Sequence, residues 1–142
     1  MKHIALAFCL LASPSFAQES VFDRVEGLWG SIDNPETSCE RNPHRISFTA
    51  QPPHAILQWA QPIHTYADTM QDRAVYDIAD AAGFSITMRL EGELRLTDGG
   101  VPVVWILRLA TDGQTYCWGR TDWSILQCAA YQRRCGQDVP SS

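Results

Sequence analysis

Apolar residues recur along this chain first at helical spacing and then at strand spacing. In residues 19–29, ESVFDRVEGLW, Val21, Phe22, Val25 and Leu28 fall on one side, with Asp23 and Glu26 opposite. That pattern predicts a short amphipathic helix. Beyond it the period becomes two. Ile46, Phe48 and Ala50 alternate with Arg45, Ser47 and Thr49, Leu57 and Trp59 share a face, and Tyr76 and Ile78 lie opposite Asp77. Phe84, Ile86, Met88 and Leu90 form the clearest alternation, followed by Leu94 and Leu96, then Val103, Trp105, Leu107 and Leu109. Asp98-Gly99 and Asp112-Gly113 lie between strand-like runs and read as hairpin turns. Pro52-Pro53, Gln61-Pro62 and Ala82-Gly83 mark further breaks.

About eight short strands with tight turns and a single helix predict an antiparallel all-β domain. Alternation on one face only requires a surface that closes on itself to bury the apolar side. The expected fold is therefore a small up-and-down β-barrel with a short N-terminal helix, and a β-sandwich is the alternative.

Residues 1–17 carry a short positive start, the apolar run Ile4 to Leu11, and small residues ending at Ala17, which predicts a cleaved export signal. The apolar run is too short to span a bilayer. Cys9 lies inside it without preceding small residues, which argues against a lipid anchor. Residues 18–135 then form one domain, and the tail 136–142, GQDVPSS, has nothing to bury and is expected to be mobile. A periplasmic or secreted location follows.

Lys2 is the only lysine, so the mature chain sets ten arginines against sixteen acids. A net charge of that sign argues against nucleic acid and anionic membranes as partners. Removing the signal leaves Cys39, Cys117, Cys128 and Cys135. An even count in an exported chain predicts two disulfides, and the absence of C-x-x-C disfavours zinc. Of three possible pairings, Cys117 with Cys128 and Cys39 with Cys135 is preferred.

Short motifs strengthen the barrel. Gly27-Leu28-Trp29 follows a short helix and resembles the G-x-W motif that opens the first strand of lipocalins. Thr121-Asp122-Trp123 is similar to that family's T-D-Y motif, and Arg133 or Arg134 to its late arginine, which packs on the motif tryptophan and closes one barrel end. The resemblance implies an eight-stranded barrel with a ligand-sized interior.

His44, His54 and His64 recur every ten residues, which suggests a metal site at first sight. If each ten-residue unit is a strand and its turn, His44 and His54 stand at opposite barrel ends, roughly 20 Å apart for six or seven extended residues. Turn-edge histidines are the better reading, with a His44–His64 pair as the remaining alternative. No G-x-S-x-G elbow, free thiol or assembled triad is present, and Glu91 and Glu93 are expected on a solvated strand face. No cofactor, metal or catalytic set is expected. The leading expectation is a non-catalytic barrel that binds a small apolar molecule or a protein partner, with Phe48, Trp59, Met88 and Trp105 lining the interior. YCWGRTDW, residues 116–123, holds Tyr116, Trp118, Arg120 and Trp123 and serves either as a partner-binding loop or as a disulfide-braced barrel end. The alternative function is inhibition of a periplasmic or host hydrolase.

Overall fold

Ser20 caps the first helix: its hydroxyl accepts from the Asp23 backbone N–H, and the Asp23 carboxylate reaches back to the Ser20 N–H. In the computed structural model, residues 19–136 are described. The expected export signal, and all of the expected tail but Gly136, lie outside the described residues. Helix α1 (Val21–Val25) leads into eight strands: β1 (Gly27–Ser31), β2 (His44–Ala50), β3 (Pro53–His64), β4 (Met70–Ala82), β5 (Ser85–Leu90), β6 (Trp105–Leu109), β7 (Thr115–Arg120) and β8 (Ala129–Arg134). Each strand pairs antiparallel with the next, and β1 pairs with β8 through Trp29–Arg134, Gly30–Arg133 and Ser31–Gln132. The sheet is a closed up-and-down barrel, as the one-faced alternation requires.

The two ends differ. At the end where β1 begins, α1 lies across the opening with Val21 and Val25 buried and Phe22 edge-on to Phe48, ring centroids 5.1 Å apart. Trp29 is fully buried there. Its indole N–H donates to the Val25 carbonyl at 2.8 Å, and the Arg134 guanidinium lies 4.2 Å over its ring. Arg134 also donates to the carbonyls of Arg24, Glu26 and Gly113, so one side chain ties α1, β8 and the β6–β7 turn together. Gly27 has φ +137°, and a Cβ there would sit 2.9 Å from the Arg134 guanidinium. The other end opens between the β1–β2, β3–β4, β5–β6 and β7–β8 loops.

The disulfides join Cys39 to Cys135 and Cys117 to Cys128. The first fastens the long β1–β2 loop to the end of β8, and a Cβ on Gly30 would come within 2.2 Å of the Cys39 backbone. The second braces the β7–β8 loop. Arg45, Gln58, Arg73, Asp77, Arg89 and Arg133 project from the outer wall into solvent. That is the reverse of the apolar outer band a membrane barrel needs, and no described helix is long and apolar enough to cross a membrane.

Three expected features fall elsewhere. Leu94 and Leu96 form no strand face. The chain leaves the sheet after Leu90, and both side chains are exposed on the β5–β6 loop, which keeps only a Leu96–Pro102 bridge. Phe84 lies in the β4–β5 turn, partly exposed beneath the Arg24 guanidinium. Gln61-Pro62 is not a turn: β3 continues to His64, and the register against β4 shifts between Gln58 and Ile63. Proline has no N–H for the ladder, so the strand bulges where it occurs.

Candidate functional site

Inward-facing positions divide the barrel into a filled half and a hollow half. On the α1 side, Ile46, Ala55, Ile86, Met88, Leu107 and Trp29 are wholly buried and packed together. Above them, toward the open end, lies a chamber of about 790 Å³, within the range of small-molecule sites. Leu57 reaches its floor. Its wall is an arc of five rings: Trp59 stands 5.2 Å from His44, His44 6.1 Å from Tyr116, Tyr116 5.8 Å from Trp118, and Trp118 is stacked on Tyr76 at 5.4 Å.

Local sequence explains these positions. His44 is two residues before Ile46 and so shares its inward face. Tyr116 and Trp118 are the inward residues of β7, and Tyr76 of β4. Trp59 sits where the β3–β4 register breaks. There the Gln58 side chain donates to the carbonyls of Trp59 and Asp72, in place of lost ladder bonds. On the other side of β3, Asn42 donates to the Gln61 carbonyl at 2.9 Å and accepts from the Gln61 N–H at 3.1 Å. At the bulge, the Trp59 carbonyl and both backbone groups of Gln61 thus find side-chain partners.

His44 Nε2 and the Tyr116 hydroxyl are 2.6 Å apart, both in the buried wall. Burial lowers the His44 pKa from 6.5 to about 4, so the imidazole is neutral near pH 7. Burial raises the pKa of Tyr116 and of Tyr76, so both hydroxyls keep their protons. The Trp59 indole N–H is shielded from solvent and has no hydrogen-bond partner among the described residues. At the mouth Arg41 pairs with Glu36 at 2.6 Å and Arg133 with Glu40, and His64 Nε2 lies 2.7 Å from the Asp68 carboxylate.

The His44 shift gives a stability prediction. Its folded pKa lies below the unfolded value, so the unfolded chain takes up a proton that native His44 refuses. The stabilisation is therefore complete above pH 6.5 and is lost as pH falls from 6.5 toward 4, roughly 3 kcal/mol in total. Urea unfolding of the wild type and of His44→Gln at pH 7 and pH 4.5 should show a smaller pH effect in the variant. Equal pH dependence of the two would mean that His44 is solvated.

Of the four residues expected in the interior, Trp59 lines the chamber. Phe48 lies at the α1 end, and Met88 is in the packed half. Trp105 stands at the rim, edge-on to Trp118 and Trp123, and donates to Glu93 at 2.7 Å. Glu93 is not on a solvated face: its carboxylate is 4% exposed and is held by Arg95, Trp105 and Tyr66. Burial alone would raise its pKa, but the bonds from Arg95 and Trp105 hold it at about 2. The ordinary strand alternation that suggested exposure ends at Leu90.

The stretch 116–123 is mostly strand. Tyr116 and Trp118 point inward and are unavailable as an exposed loop, whereas Arg120 forms a two-bond pair with Asp122 at 2.9 and 2.7 Å beside Trp123. Of the three periodic histidines, His44 faces the chamber and His64 its mouth, while His54 lies on the outer wall 2.7 Å from Asp77, with Glu91 at 3.8 Å. His54, Asp77 and Glu91 thus converge on the outer surface, where strand pairing alone brings together side chains distant in sequence.

No protein-family model matches this sequence, and no significant match is found among curated proteins or solved structures.

Proposed function

We propose that this protein is an exported, non-catalytic, lipocalin-like binding protein that holds a small, largely apolar molecule in the open half of its barrel. The single observation that carries this reading is the chamber itself: about 790 Å³, open at one end, closed below by packed core, and walled by aromatic rings. Arg134 over Trp29 at the helix-capped end supports the lipocalin likeness. Thr121-Asp122-Trp123 does not, because it stands at the opposite end. The turn beside Trp29 is instead Thr111-Asp112-Gly113, whose Thr111 and Gly113 carbonyls accept from Arg24 and Arg134. The two disulfides suit an oxidising compartment, in keeping with the export signal.

A non-catalytic role is supported by how the polar groups are used. Asn42 is committed to the β3 backbone, and His44 in the inner wall is neutral and paired with a protonated tyrosine. A second reading, docking of a hydrolase on the open-end loops, is favoured by Ile125 and Leu126, 81% and 91% exposed on the disulfide-braced β7–β8 loop.

One titration series separates the two readings. Tryptophan emission should change saturably, at one ligand per chain, with at least one member of a panel of aromatic and long-chain apolar compounds. Response to a lysozyme or protease but to none of the compounds would favour docking, and silence across the compound panel would count against the chamber.

A further inference from the structure

The chamber combines an aromatic wall with hydrogen-bond donors and no ionised side chain in its inner wall. The His44–Tyr116 pair keeps one unused donor in either tautomer. If Tyr116 donates to Nε2, the imidazole Nδ1–H remains. If Nε2–H donates to Tyr116, the phenolic O–H remains. The adjoining Trp59 contributes an N–H without a partner. A buried donor without a partner is unfavourable, so an acceptor delivered through the chamber meets a group that the protein itself leaves unmatched. The Trp59 nitrogen is itself sealed from solvent although its ring lines the chamber, so an acceptor reaches it only when the indole turns.

Charge narrows the class further. A carboxylate carried inward would lose its hydration opposite a neutral imidazole and two protonated phenols. Arg41 at the mouth already faces Glu36, and Arg95, close enough to act on Tyr76, is held by Glu93. An unpaired buried carboxylate is strongly disfavoured. A long flexible chain would also use an arc of rings poorly, whereas a flat ring system can stack against Trp59, Trp118 or Tyr76.

Building on the binding role proposed above, we infer that the ligand is a flat aromatic molecule whose buried end is an uncharged acceptor (a carbonyl or an unprotonated ring nitrogen) and not the carboxylate of a fatty acid. The acceptor meets the Trp59 N–H or the spare donor of the His44–Tyr116 pair, and the rings stack on the wall.

Three probes of nearly one shape test this by calorimetry at pH 7: 2-acetylnaphthalene, 2-ethylnaphthalene and 2-naphthoate. The ketone should bind at least tenfold more tightly than either of the others. Its advantage over the ethyl compound should shrink at least threefold in Trp59→Phe or in the double variant His44→Phe/Tyr116→Phe, which keep rings and remove either the indole N–H or every donor of the pair. The wild-type comparison stands whether or not the variants fold. Naphthoate binding as tightly as the ketone, or equal affinity for ketone and ethyl compound, overturns the inference and leaves the chamber as a binding site. So does binding of palmitate with none of the three naphthalenes. Binding of none of these four probes overturns both the inference and the chamber.

Discussion

Trp29→Ala is expected to cost about 3–5 kcal/mol of unfolding free energy, the largest effect of any single truncation in this barrel. Trp29 is 0% exposed and joins three things that no other residue joins. Its ring packs edge-on to Tyr116 with centroids 4.9 Å apart, its N–H satisfies the Val25 carbonyl, and its face carries the Arg134 guanidinium. Removal leaves a cavity at the helix-capped end, frees a helix carbonyl, and deprives Arg134 of the surface that holds it over the α1 backbone. Domains of this size are stable by about 5–15 kcal/mol, so the variant should sit near the limit of folding. Urea unfolding measures the difference. A loss below about 1 kcal/mol would mean that the filled half of the barrel is not built around Trp29. Trp123→Ala, at the partly exposed rim, should cost far less.

The Cys39→Ser/Cys135→Ser double variant is expected to lose about 4.7 kcal/mol if the cross-link acts mainly by restricting the unfolded chain. The two cysteines are 96 residues apart, so their bond closes a loop that spans most of the barrel. The same formula gives a smaller effect for Cys117–Cys128, which closes only 11 residues. The long-range bond also fixes the β1–β2 loop, which supplies Asn34, Glu36 and Arg41 to the chamber mouth. Its removal should therefore weaken ligand binding as well as stability. Equal destabilisation by the two disulfide knockouts would contradict the loop-length account.

The barrel was readable in the sequence because one-faced alternation in a chain of short strands has few closed solutions. Ile46, Phe48, Ile86, Met88, Leu107 and Leu109 all lie inside, as their periodicity predicts. The chamber was harder to read, because alternation says which side of the wall a residue faces but not how far along the barrel axis it lies. Phe48, Met88 and Trp59 carry the same inward signal, yet only Trp59 lies in the hollow half. His44 is in phase with Ile46, and its place as the first residue of the strand hides that phase. Tyr76 and Trp118 follow the same rule. Nothing local in EGELRL marks where the strand stops, so the places of Glu93 and Leu94 are not legible there, and the capture of Glu93 by Arg95 and Trp105 is a tertiary event. Trp59 occupies a bulge announced only by Pro62, which is read as easily as a turn.

Titration of ¹⁵N-tryptophan-labelled protein with 2-acetylnaphthalene, followed through the five indole N–H resonances, tests the hollow half of the barrel most directly. The Trp59 and Trp118 signals should move together and saturate at one ligand per chain, with Trp59 shifting furthest as its N–H gains an acceptor. The Trp29 signal, bonded to Val25 in the packed half, should stay in place. Five unchanged resonances at saturating probe, or movement confined to the rim residue Trp123, would contradict a ligand chamber between His44, Trp59 and Trp118.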